Sequence, residues 1–249
     1  MKYLIVANWK MNPASRKEAT ALWKNISAES AKNTEVVICP PYPFLSLKKD
    51  LKDKKLILGA QDVSADVSGA HTGEVSASML ADTGVKYVII GHSDRRAKGD
   101  TNEVVNKKIL CALKAGLKPI VCIGENTRDD HGFYLHFIKT QIDECFRGVS
   151  KAQLQDITIA YEPIWSISTN PNAKEDTPSD SLEMSIFILK TMSDIFSTSA
   201  AKDVRIIYGG SVNEKNAESF LLHGGVSGAL VGRASLDAKK FIKIINSAK

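Results

Sequence analysis

The sequence predicts an α/β protein folded as a single closed (β/α)8 barrel over residues 1–249. Three observations predict it. Eight short apolar runs recur along the chain, most of them continuous rather than alternating, as in parallel strands buried on both faces. Segments with helical apolar spacing lie between them. No linker-like tract interrupts the alternation, and 249 residues is an ordinary length for such a barrel. A doubly wound open sheet is the alternative arrangement of the same alternation.

The first strand is expected at Tyr3–Ala7, followed by a helix whose Ala19, Leu22, Trp23 and Ile26 follow i, i+3, i+4, i+7. Strands two to four fall at Val36–Cys39, Leu56–Ala60 and Tyr87–Ile90. The basic tract Lys48–Lys55 carries two aspartates and reads as a solvated helix face running into a turn. Val105, Ile109, Ala112 and Leu113 mark the helix before the fifth strand, Pro119–Ile123. The sixth strand is Ile157–Tyr161. The sixth helix opens at Thr177-Pro178-Ser179-Asp180, with a capping threonine, a first-turn proline and an acid three residues on; Leu182, Ile186 and Leu189 continue its apolar period. Val204–Tyr208 and Gly228–Val231 complete the strands.

Composition excludes several classes. The net charge of +5, from 33 basic and 28 acidic residues, is mild and spread, so no nucleic-acid partner is expected. No apolar run approaches membrane-spanning length, and the five apolar residues before Asn8 are too few for a signal peptide. Cys39, Cys111, Cys122 and Cys145 form no Cys-x-x-Cys pair; Cys39 and Cys122 sit in strand-like runs, as reduced, buried residues of a cytoplasmic protein do. His131 and His136, five apart, lack metal-ligand spacing and read as surface residues.

Polar residues concentrate where a barrel would use them. Asn8 and Lys10 follow the first strand, His92, Ser93 and Asp94 the fourth, Glu162 the sixth, Gly209-Gly210-Ser211 the seventh and Gly232 the eighth. Carboxyl ends of barrel strands meet at one mouth. Each residue has a plainer reading: Lys10 as a surface lysine, His92 as a turn residue, Gly209-Gly210 as a turn, Glu162 as an ion-pair partner. Those readings must hold at five strand ends together, and the convergence favours a site.

Glu162 is the sharpest of these. It ends the apolar run Ile159-Ala160-Tyr161 and precedes Pro163, so its geometry is fixed and little water surrounds it. Loss of water strengthens a carboxylate as a base, which suits proton abstraction. The 165–176 loop that follows is long for a compact domain and reads as a lid or binding loop.

The motifs Asn8-Trp9-Lys10-Met11-Asn12, Gly59-Ala60-Gln61-Asp62-Val63-Ser64, Thr72-Gly73-Glu74, Gly91-His92-Ser93, Cys122-Ile123-Gly124-Glu125, Tyr161-Glu162-Pro163-Ile164-Trp165 and Tyr208-Gly209-Gly210-Ser211-Val212 resemble, in order and spacing, those of the triosephosphate isomerase family. The resemblance covers essentially the whole chain. It implies a TIM barrel that interconverts dihydroxyacetone phosphate and glyceraldehyde 3-phosphate through an enediol(ate), without metal or organic cofactor. In the pairing established for this family, Glu162 would move the proton and neutral His92, at the start of a short helix from Ser93, would serve the oxygens. Lys10 would supply positive charge, and Asn8 would orient the substrate. Backbone N–H groups near Ser168, Ser211, Gly232 and Arg233 would hold the phosphate, assisted by a helix start after the eighth strand. A homodimer through the loop Gly69–Glu74 is implied, with a tetramer as a further assembly.

Three departures from the family pattern stand out. Asp94 replaces a glutamate one methylene longer, which bears on a contact toward Lys10. Ser168-Thr169-Asn170-Pro171 replaces a glycine-containing lid, which stiffens its hinge. Gly232-Arg233 replaces a glycine pair. Two other readings remain: a phosphate-binding barrel with another sugar-phosphate chemistry, and a barrel that binds phosphometabolites without turnover.

Overall fold

The computed structural model describes residues 2–29, 34–129, 131–167 and 175–248. Eight parallel strands, β1 (Tyr3–Asn8), β2 (Thr34–Cys39), β3 (Ile57–Ala60), β4 (Tyr87–Ile90), β5 (Lys118–Ile123), β6 (Thr158–Tyr161), β7 (Arg205–Tyr208) and β8 (Gly228–Val231), close in sequence order, β8 pairing with β1. The barrel expectation holds and the open sheet does not. Strand limits agree with the sequence reading to within two residues, because apolar runs end where the chain leaves the barrel wall.

The helices are α1 (Arg16–Glu29), α2 (Leu47–Asp50), α3 (Ala77–Asp82), α4 (Ser93–Arg96), α5 (Asn102–Lys114), α6 (Phe133–Cys145), α7 (Pro178–Ile195), α8 (Thr198–Ala201), α9 (Ala217–His223) and α10 (Ala238–Ser247). Strand alternation divides the core in two. Leu4, Val6, Val37, Cys39, Ile89, Ile120, Cys122, Ala160, Ile207 and Leu230 fill the barrel. Ile5, Ala7, Ile38, Val88, Val121, Ile159 and Val231 face the helices. Cys39 and Cys122 are buried as expected, whereas His131 and His136 are exposed.

Thr177 caps α7 as its sequence predicts: its hydroxyl accepts from Asp180 N at 3.2 Å, and Asp180 Oδ2 accepts from Thr177 N at 3.1 Å. The buried face of α7 is not the predicted one. Leu182 is 40% and Ile186 59% exposed, while Ser181, Met184, Ser185, Ile188 and Met192 pack inward. Apolar period alone misled here. Ser181 and Ser185 are tolerated inside because each hydroxyl donates to Gly224 O, at 3.0 and 3.4 Å.

Candidate active site

The inward alternation that buries Leu4 and Val6 places Asn8 next at the barrel mouth, and the one that buries Ala160 places Glu162 there. Both line a cavity of about 650 Å3, together with Lys10, His92, Gly209, Ser211, Gly232 and Arg233. Ser93 and Asp94 reach it through His92 and Lys10. Ser168 lies outside the described residues. The five strand ends singled out in the sequence therefore meet at one mouth.

Lys10 sits on a turn with φ 52°. That left-handed conformation costs an L-residue about 1 kcal/mol or more and persists only when its surroundings impose it. Two side chains do so. Asn8 Oδ1 accepts from Lys10 N at 3.1 Å, and Gln61 Nε2 donates to Lys10 O at 2.8 Å and Cys39 O at 2.9 Å. The ammonium is thereby aimed into the cavity, where Nζ stands 3.0 Å from Asp94 Oδ2.

His92 is the N-cap of α4. Its Nδ1 accepts from Asp94 N at 2.9 Å, which leaves the ring proton on Nε2 and the imidazole neutral. Nε2 faces Glu162 Oε1 at 3.3 Å. Glu162 Oε2 accepts from Ser93 N at 3.2 Å, so the helix start that caps through His92 also holds the carboxylate. Glu162 is 3% and His92 6% exposed. Gly209 makes room for the carboxylate stem: a Cβ there would lie 2.8 Å from Glu162 Cγ.

At the opposite side of the cavity, Ser211 Oγ donates to Ser166 O at 2.8 Å, tying the end of β7 to the turn after β6. Asn216 Nδ2 holds Ser211 O at 2.8 Å. Gly232 leads into a 3-10 turn, Arg233–Leu236, whose first N–H groups have no partner within the turn and are available to an anion. The Arg233 side chain is exposed, and no carboxylate among the described residues pairs with it.

Further supports of the site were not singled out in the sequence. Buried Glu125 accepts through Oε1 from Tyr161 OH and Trp165 Nε1, both at 2.8 Å, and from Arg128 Nε at 3.2 Å. Arg128 Nη1 continues to Asp180 at 2.8 Å, so the turn after β6 is tied to α7. Tyr208 OH donates to Asp176 Oδ2 at 2.8 Å. Gln141, a polar residue on the buried stripe Ile138, Ile142 and Cys145 of α6, bonds the backbone of Gly124; a glutamine among core-spaced residues was the signal that marks it. Among the described residues no group of three His, Cys, Asp or Glu side chains is placed to hold a metal ion.

The chemistry available is proton transfer between a buried carboxylate and a bound carbon acid, with a neutral imidazole N–H and an ammonium facing the developing charge. Comparison with known proteins agrees. The family model described as triosephosphate isomerase matches residues 3–248. The triosephosphate isomerase of Alkaliphilus oremlandii is 42% identical over 98% of this chain and 99% of its own. That of Caldanaerobacter subterraneus is 40% identical over 98% of both. The crystal structure of triosephosphate isomerase from Bartonella henselae superposes with a TM-score of 0.86 at 33% identity, covering 99% of each chain. The chain belongs to the triosephosphate isomerase family.

Proposed function

We propose that this protein interconverts dihydroxyacetone phosphate and D-glyceraldehyde 3-phosphate by proton transfer through an enediol(ate), as one catalytic domain serving glycolysis and gluconeogenesis. The observation that carries the reading is the buried pair Glu162 Oε1 and His92 Nε2, 3.3 Å apart, at the mouth that also holds Lys10 and Asn8. Glu162 takes the proton from one carbon and returns it to its neighbour. His92 donates its Nε2 hydrogen to the substrate oxygens in turn, since its Nδ1 is committed to Asp94 N. Lys10 stabilises the enediolate and the phosphate, and Asn8 orients both the turn of Lys10 and the substrate. The backbone near Ser211, Gly232 and Arg233, with Ser168, binds the phosphate; Ser93 and Asp94 support the base and the ammonium. The residues themselves supply every step, so no cofactor is invoked. No observation favours a barrel without turnover.

The assembly is a homodimer, with a tetramer as a possible higher form, in the cytoplasm. The 67–74 loop is exposed, Val67 at 55%, as a loop that docks on a second copy would be in the free chain. No helix among the described residues is long and apolar enough to cross a membrane. A coupled assay with glyceraldehyde 3-phosphate on metal-free protein tests the activity: absence of conversion, or conversion only with added metal, overturns it. Sedimentation at assay concentration tests the assembly, and a fully active monomer overturns it.

A further inference from the structure

Gln141 projects from α6 into the wall of the barrel and is 3% exposed. Its amide closes a two-bond clamp on one residue. Gly124 N donates to Gln141 Oε1 at 3.0 Å, and Gln141 Nε2 donates to Gly124 O at 3.2 Å. Gly124 follows β5, and the backbone of Glu162 rests on it. A Cβ built at Gly124 would lie 1.7 Å from Glu162 O and 3.2 Å from Glu162 Cα. The preceding residue completes the seat, because Glu162 N donates to Ile123 O at 2.8 Å.

We propose that Gln141 is a positioning residue for the base: by fixing the peptide planes on both sides of Gly124, it sets the height at which the Glu162 backbone sits over the end of β5. The inference rests on the isomerase reading above. A glutamine is suited to this, because its planar amide offers one acceptor and one donor at the spacing of a backbone N–H and C=O. Its burial keeps water from competing for either bond. The carboxylate needs such a seat because proton abstraction depends on sub-ångström placement of its oxygens. Gln141 does not line the cavity, so its loss changes proton transfer while leaving the phosphate-holding groups of β7 and β8 in place.

The test compares Gln141→Leu, which removes both bonds at similar volume, with Gln141→Glu, which keeps an acceptor for Gly124 N and gives up the donor to Gly124 O. Ser181→Ala removes a comparably buried hydrogen bond, to Gly224 O rather than Gly124, and serves as the stability control. Gln141→Leu is expected to lower kcat about tenfold with KM within about twofold, and to raise the deuterium isotope effect on kcat for substrate labelled at the transferred position. Gln141→Glu should show a smaller change in the same direction, and it alone decides the matter if Gln141→Leu does not fold. Ser181→Ala should lower Tm with kcat and isotope effect unchanged. Folded Gln141 variants with wild-type kcat, or with kcat lost only as much as in Ser181→Ala, overturn the proposal. Absence of turnover in the wild-type protein overturns the isomerase reading instead.

Discussion

Lys10, which lines the cavity, holds its Nζ 3.0 Å from Asp94 Oδ2. Asp94 belongs to α4, whose first turn is held by His92 Nδ1 and the Glu162 carboxylate. With Asp94 53% exposed, the contact is worth about 1 kcal/mol or less in orienting Lys10.

Asp94→Ala should accordingly lower kcat/KM about fivefold, the equivalent of ~1 kcal/mol, with unchanged Tm. Asp94→Glu should stay within about twofold of wild type. Steady-state kinetics of both variants measure this. Wild-type kcat/KM in Asp94→Ala would show that Lys10 needs no partner.

Glu162→Asp should fold with an unaltered circular dichroism spectrum but lose about a hundredfold in kcat, because the carboxylate retreats by one methylene from the proton it must reach. Glu162→Gln should lose more, since the amide cannot accept that proton. Near-wild-type turnover in Glu162→Gln would remove Glu162 from its role.

The main positions of the site were legible because each ends an apolar run, and a closed barrel turns run ends into neighbours. Asn8 and Glu162 even share the inward alternation of Leu4, Val6 and Ala160. The supports were not legible. Gln61 holds Lys10 across 51 residues, and Tyr208 reaches Asp176 across 32. Such pairs depend on how loops fold over the barrel mouth, which no local spacing encodes. The face of α7 failed for a related reason: Ser181 and Ser185 are buried because Gly224 O comes to meet them, a partner in another element.

Asp176 makes stability depend on pH in an uncommon direction. Burial pushes its carboxyl from 3.8 up to about 6, with the charge of Asp180 adding to this against the hydrogen bond from Tyr208. The folded state therefore binds this proton more tightly than the unfolded chain. Its contribution is fully present below pH ~4 and is lost as pH rises through ~6, at most about 3 kcal/mol. Asp176→Asn keeps an acceptor for Tyr208 OH without a charge. Its Tm should match wild type near pH 4 and exceed it by several degrees at pH 7 to 8. Calorimetry across that range checks the slope, and parallel Tm curves for the two proteins would contradict it.

Arg233, where the resemblance leads one to expect glycine, is exposed and lines the cavity beside Gly232 and Lys240. Its backbone N–H opens the 3-10 turn Arg233–Leu236 and is the group proposed above to hold the phosphate. The guanidinium is expected at the edge of a bound dianion rather than inside it, because main-chain donors at a helix start would pack too closely to admit it. At that edge it adds attraction without obstructing the site. Arg233→Gly should fold, keep its kcat, and raise KM about two- to threefold at low ionic strength. Between ~0.01 and ~0.15 M salt the Debye length falls from about 30 to about 8 Å, so the difference in KM should largely vanish. Kinetics at those two ionic strengths decide the matter. Unchanged KM at both would mean that the arginine takes no part in binding, and a large gain in kcat would mean that it blocks the site.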